Sequence, residues 1–544
     1  MKKATISKLL ATLVVLCLLL TGCGNSGTPT GNEDTTNVGT NAPEASETST
    51  SSSSKRYPLI RYAIPEAPNN LAPWDPYSEA KRFIYTALFE SLFNVEGDNF
   101  LPLIGKEIKE VDDTHWDVTI FDYVYDSEGN HITADDVVYC YNKFANSGFA
   151  VKYGAFGGIE KIDDYTVRFT WTHPITGVGE LEHVLGRTLI YSQAADQKHN
   201  MSTEPVGTGP YVLKEFVSGS SVKLKARDDY WQTDEQYIHP RQKRNVDEIE
   251  CVVISEAAQN VVALQTGTID VSYNITEDAL PLFEDGGQYS DKYTLKSAIT
   301  TSVYLLACDA SNGITADANF RRAVYYALDN DKIAEAVGSA YPLKSMNNPN
   351  YADAVPQMDN LETYNNTYDP NKAKEYLTKT NYNGETLTLV CRSSEVAKNA
   401  ATMIQAMLGD VGINIEIKAL DNNLYNAAIT DPNAYDLIIG DIGGTLMVGS
   451  QNRICNNNEY GNGMSFAFVN DPKLDELYDF VNTRENWNAE NLTKLYQYIT
   501  DNAYYNYLFA LTKPFVYTKD ITEPYIDPSW DFTFMPQGCT YKVK

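Results

Sequence analysis

Tyr435-Asp436-Leu437-Ile438-Ile439-Gly440 decides the fold. Its short continuous apolar run is the pattern of a strand covered on both faces, whereas a strand with one wet face would alternate. Covered strands belong to sheets with helices packed against them, so this stretch argues for an α/β architecture. On its N-terminal side, Ile413 to Ile417 alternates with Asn414 and Glu416 outward, as a half-exposed strand should. On its C-terminal side, Asp471-Pro472 sets an N-cap before a proline at the first helical position, ahead of Leu474, Leu477 and Tyr478.

The same alternation of signals runs through the chain. Asp369-Pro370 repeats the cap, with Ala373, Tyr376 and Leu377 as the inner stripe. Thr133-Ala134-Asp135-Asp136 has capping-box spacing before Val137, Val138, Tyr141 and Phe144. Asp317 to Asp329 reads as one helix carrying Phe320, Ala323, Val324, Ala327 and Leu328. Tyr165 to Trp171 and Ser221 to Ala226 alternate as strands.

The N-terminus reads differently. Lys2, Lys3 and Lys8 precede an apolar run from Leu9 to Leu20, the length of a signal-peptide core and too short to span a bilayer. Leu20-Thr21-Gly22-Cys23 resembles a bacterial lipobox, in which the cysteine becomes the lipidated first residue of the mature chain. The alternative is an ordinary secretory signal with a chance cysteine. Gly24 to Lys55 is rich in Ser, Thr, Asn, Gly and Pro; with little to bury, it reads as a tether. The expected location is the extracellular face of the cell membrane, with Cys23 as the anchor and no other membrane contact.

Acidic residues outnumber basic ones by 72 to 43, a formal charge of −29. That balance argues against nucleic acid and against direct binding to anionic lipid. Enzyme signatures are missing. The histidines (His115, His131, His173, His183, His199, His239) form no metal-binding spacing. Gly463-Met464-Ser465-Phe466-Ala467 departs from a nucleophile elbow at its last position. Gly105-Lys106 continues into Glu107, not the hydroxyl residue of a phosphate loop. No cofactor or metal is expected, and a secreted hydrolase is the rival from another class. Cys140, Cys251, Cys308, Cys391, Cys455 and Cys539 are scattered without a C-x-x-C pair and read as small core residues; an extracellular setting permits disulfides, but spacing does not pair them.

Several fragments recur in a fixed order: Leu71-Ala72-Pro73-Trp74-Asp75-Pro76, Leu88-Phe89-Glu90-Ser91-Leu92, Asp126 to Val138, Pro205-Val206-Gly207-Thr208-Gly209-Pro210-Tyr211 followed by Asp229-Tyr230-Trp231, Ala263 to Asp270, and Phe320-Arg321-Arg322-Ala323. Tyr368-Asp369-Pro370 and Val411-Gly412-Ile413 complete the order. Together they resemble the extracellular solute-binding proteins of the oligopeptide, dipeptide and nickel class, family 5. The resemblance implies a two-lobed periplasmic-binding-protein-like fold of type II, cluster C, with an extra inserted small domain. It further implies a signal peptide over 1–22, a lipidated cysteine and tether over 23–56, and a first lobe from 57–76, 172–298 and 513–544. The inserted domain would be 77–171 and the second lobe 299–512. The implied activity is capture of a small ligand, a short peptide first and a small saccharide or chelated nickel as alternatives. Delivery would be to an ABC permease pair in the membrane, by a protein acting as a monomer and without catalysis.

The candidate site follows from the opening stretch. Ligands of open α/β sheets sit beyond the carboxyl ends of strands, and the strand runs into Asp441-Ile442-Gly443-Gly444-Thr445. Glycines there permit close approach of backbone to a ligand, so Gly440, Asp441, Ile442, Gly443 and Gly444 are candidate contacts; a plain glycine turn is the other reading. The resemblance places a carboxylate for a peptide α-ammonium at Gly444. Either Asp441 supplies that charge from a shifted backbone, or the ammonium is not recognised this way. Phe149 and Tyr153 stand where the family has a ligand-facing tyrosine, and Glu66 follows the opening strand Leu59 to Ile64 toward the cleft.

Overall fold

The computed structural model describes residues 56–75, 79–96, 99–148, 155–175, 179–351, 353–443, 466–481, 483 and 485–542, all within one unit, Lys55–Lys544. Its frame is a mixed sheet. Strands β1 (Tyr57–Ile64), β8 (Tyr211–Val217), β9 (Ser221–Ala226), β10 (Val246–Val253) and β11 (Val271–Ser272) make one side. Strands β14 (Thr386–Arg392), β15 (Asn414–Leu420) and β16 (Leu437–Ile442) make the other. Between them run two long strands, β12 (Tyr293–Cys308) and β17 (Tyr505–Thr518). The order across the sheet is β15-β14-β16-β12-β17-β11-β1-β10-β9-β8, with β13 (Ala340–Pro342) also paired to β17.

β16 is buried on both faces, as its apolar run requires. Ile438 and Ile442 pack with Val303, Leu305 and Tyr507, whereas Leu437 and Ile439 pack with Leu306, Leu389 and Phe509. Each such side chain contributes about 1.5–3 kcal/mol by leaving water, which is why the stretch holds no polar residue between Asp436 and Gly440. On the β1 side, Ile60, Tyr62, Ile249 and Phe515 belong to a different buried cluster.

A second, antiparallel sheet joins β4 (Gly105–Asp112), β5 (His115–Ile120), β7 (Thr166–Trp171) and β6 (Phe156–Asp163) in the order β4-β5-β7-β6. The helix Ala134–Ala145 lies on it, with Tyr141 edge-on to Phe169 at 4.8 Å. That helix starts where the capping signal put it: the Thr133 N–H donates to Asp136 Oδ2 at 2.9 Å. The Asp-Pro caps also hold. Asp369 Oδ1 accepts from the N–H groups of Asn371 and Lys372, and Asp471 Oδ1 from that of Lys473. One boundary differs. Asp317 to Asp329 holds one helix, Ala318–Tyr326 capped by Asp317, which ends short of Asp329; Asp329 caps the next, Asn330–Val337, by accepting from the Lys332 N–H at 3.2 Å. An aspartate that competes for backbone donors breaks the periodicity.

The motifs that carry the resemblance meet in one buried polar knot. Glu90 accepts from Tyr230 Oη at 2.6 Å, Trp231 Nε1 at 2.8 Å and Gln242 Nε2 at 2.7 Å. Arg227 donates to the carbonyls of Thr208, Gly209 and Asp126. Gly207 and Gly209 are glycines because their backbone presses on the end of the helix Glu79–Leu88: a Cβ would stand 2.1 Å from the Leu88 carbonyl oxygen and 2.4 Å from that of Ala87.

The described cysteines Cys140, Cys251, Cys308, Cys391 and Cys539 are buried thiols outside any disulfide. Burial pushes Cys308 and Cys539 up to about 12, so they are inert in the native state.

Candidate functional site

Strand direction brings two carboxyl edges face to face. β16 runs antiparallel to β12, and its last residue, Ile442, lies opposite Val303. β14 and β15 are parallel to each other, and β14 to β16, so all three point the same way. On the other side, β11 runs antiparallel to β17 with Ser272 opposite Val516, and β1 is parallel to both β11 and β10. Both sets therefore end toward the stretch where β12 and β17 cross, between the Ala298–Lys513 and Val303–Ala510 pairs. There the ladder slips: Thr300, Thr301 and Ser302 bulge out of register between Ile299 and Val303. Bulges loosen and twist a pair locally, and here the released carbonyls are held by Asn350, Asn348 and Tyr351.

At the β16 edge, Asp441 is already paired. Arg392, the last residue of β14, donates through Nε to Asp441 Oδ1 at 2.7 Å and through Nη1 to Asn422 Oδ1 at 3.0 Å. The guanidinium lies 4.1 Å above the Tyr425 ring, whose hydroxyl donates to the Ile439 carbonyl at 2.8 Å. Tyr304, opposite Asp441, stacks on Phe509 at 5.0 Å; burial and the Asp441 charge raise its phenol. One oxygen of the Asp441 carboxylate is thus already engaged by Arg392.

The other members of the glycine stretch divide. Gly440 is buried, and a Cβ there would stand 2.7 Å from the Phe466 ring, so its lack of a side chain serves packing. Ile442 is buried in the core with Ile438. Gly443 is exposed beside Ser302 of the bulge. Gly444, Phe149, Tyr153 and Cys23 lie outside the described residues. Glu66, exposed, follows β1 and reaches the field of Tyr273 at the end of β11.

Opposite this edge stands a group the sequence reading missed. Lys513 is the single charged residue of β17. Its ammonium lies 4.7 Å from the Tyr273 ring centre and 5.4 Å from that of Phe515. Burial pulls it down to about 8, against the opposing pull of Asp531. A lone lysine in YNYLFALTKPFVYT was the available signal.

With this geometry in place, comparison with known proteins is direct. The family model for Bacterial extracellular solute-binding proteins, family 5 Middle, matches residues 99–458. The chain belongs to this family of solute-binding proteins. The oligopeptide-binding protein AppA of Bacillus subtilis is 23% identical over 449 residues, 75% of this chain and 77% of that one. The solved structure of the ABC transporter substrate-binding protein CtaP from Listeria monocytogenes has a TM-score of 0.73 at 19% identity, covering 90% of this chain and 100% of that one. A nickel ABC transporter structure from Bacillus halodurans gives 0.73 at 20% identity, over 89% and 99%. At such identities the structural likeness speaks to fold: the solute-binding protein has the two-lobed type II periplasmic-binding architecture with its extra small domain. Among its described residues no group of three His, Cys, Asp or Glu side chains could hold a metal ion. No described helix is long and apolar enough to cross a membrane.

Proposed function

We propose that this solute-binding protein is the receptor of an ABC importer, tethered to the outer face of the membrane by a lipid on Cys23, and that it hands short peptides to a permease pair. The observation that carries the reading is the pair of opposed carboxyl edges across the bulged crossing of β12 and β17. Ligands bind α/β sheets at such edges, and a loosened pair of connecting strands is where two lobes hinge on a guest. The position of that crossing supports lobe boundaries near 298 and 512. The oligopeptide-binding relative favours a peptide. A receptor that binds and releases needs no nucleophile, which separates it from the hydrolase alternative, and one ligand per monomer suffices.

A nickel complex is the second reading, favoured by the Bacillus halodurans structure. The metal would enter inside a small chelator, as imidazoles are absent from the edge residues Arg392, Asp441, Tyr304 and Lys513. Mass spectrometry of material co-purifying with the protein from its own cells decides between them. Peptide masses without metal support the first reading; stoichiometric nickel supports the second. Metabolic labelling with palmitate, compared with Cys23→Ser, tests the anchor: unlabelled wild-type protein would remove it.

A further inference from the structure

We infer that the segment 339–351 is a brace across the two crossing strands, and that Asn348 and Asn350 are positioning residues for closure of the receptor. The inference rests on the receptor reading above and adds the part of the chain that fixes the crossing.

The crossing does not hold itself. Between the Ile299–Thr512 and Val303–Ala510 pairs, three residues of β12 face Leu511 alone. Ladder bonds are disrupted over such a stretch, and a carbonyl released there must find another donor. The bulge supplies one bond of its own, from the Thr300 hydroxyl to the Leu511 carbonyl at 2.9 Å. The carbonyls of Ile299, Thr300 and Thr301 are taken from outside: by Asn350 Nδ2 at 2.6 Å, Asn348 Nδ2 at 2.8 Å and Tyr351 Oη at 3.4 Å.

All three donors come from one short stretch, and the start of that stretch holds the other strand. β13 pairs with β17 at Leu511, Ala510 and Phe509, and the Ser339 carbonyl accepts from the Thr512 N–H at 3.0 Å. The segment thus grips β17 at one end and β12 at the other, level with the slip. Between its ends it is rooted in the β16 half, where Leu343, Met346 and Tyr351 pack with Val303 and Ile438. Ser345 Oγ and Asn347 Nδ2 both donate to Asp359. The donor spacing is built into Asn348-Pro349-Asn350, where the proline ring fixes the backbone between the two amides. Asn348 Oδ1 in turn accepts from the Asn350 N–H at 3.0 Å. From the β1 half, Glu277 accepts from the Ser339 N–H. It lies against Gly338, where φ is +93° and a Cβ would stand 3.2 Å from the Glu277 carboxyl carbon. The brace therefore touches both halves of the sheet. Gripped in this way, the strands enter closure from one geometry. A bulge without the grip would sample many, and binding would bear the cost of ordering it.

The test uses the full-length protein and a pool of tripeptides with free termini. Hydrogen exchange read by mass spectrometry follows residues 299–303, and calorimetry follows binding of the pool. Asn350 is exposed, so Asn350→Ala and Asn350→Asp remove the donor and leave the core intact. Both should speed exchange at 299–303 severalfold. Both should also weaken pool binding by about five- to thirtyfold, the cost of re-ordering one residue, at an unchanged melting temperature. Asn383→Ala removes another exposed amide, which donates to the Asn381 carbonyl at 2.8 Å just before β14, and should change neither readout. Unaltered exchange and affinity in the Asn350 variants overturn the brace, and so does a melting temperature that falls in step with affinity. If wild type binds no tripeptide, the peptide reading fails, and the exchange rates still decide the brace.

Discussion

At position 440 one methyl group measures how tightly the β16 edge is packed. Its Cβ would meet the Phe466 ring at 2.7 Å, and overpacking of this kind costs about 1–3 kcal/mol. Gly440→Ala should lower the urea midpoint accordingly, with an unchanged denaturant slope. A mutant as stable as wild type would show that the ring has room to retreat. Lys513 gives a second test, through pH. Its amine is depressed in the folded state, so the unfolded chain binds the proton more strongly, and stability must rise with pH from about 8 toward the ordinary lysine value. Asp531, Glu66, Arg82, Arg187 and Tyr273 face the same amine or its neighbour, so the comparison is made against Lys513→Met. The difference in melting temperature between wild type and the mutant should shift in wild type's favour between pH 8 and 10. A flat difference would mean that the amine is not depressed.

Among the elements, those readable in the sequence carry local signals. The apolar run at Leu437 to Ile439, the caps at Asp369 and Asp471, and the Thr133 box each depend on residues within a few positions of one another, and each appears in the structure. The resemblance motifs were also legible, because glycines pressed against a helix end and donors gathered on Glu90 tolerate few substitutes. That knot is structural. Glu90→Leu would strand the donors of Tyr230, Trp231 and Gln242, each worth about 1–3 kcal/mol. Thermal melting should show one of the larger losses available to a single change in this protein, without altered ligand preference in whatever remains folded at low temperature. The binding side was less legible for the converse reason. Arg392 and Asp441 meet across two strands, and Lys513 and Tyr273 come from separate stretches. No spacing rule relates them. The end of the helix at Tyr326, short of Asp329, was lost in the same way, since the apolar spacing of Ala327 and Leu328 continues past the last helical residue.

For the molecule as a whole, the register slip at Thr300 to Ser302 divides one sheet into two halves, each with its own buried clusters. A hinge there should let the halves close on a bound tripeptide. Small-angle scattering should then give a smaller radius of gyration with the pool than without it, and tryptophan emission should change in parallel. A receptor that binds the pool at constant dimensions would refute the hinge. The placement of β17 also bears on biogenesis. It fills the centre of the sheet between β12 and β11, yet it comes from residues 505–518, after almost every other strand has been made. Until that segment leaves the ribosome, its neighbours keep open edges and the two halves share no interior strand. The nascent polypeptide thus cannot complete its own scaffold early, a delay that would suit the export to the outer face proposed above.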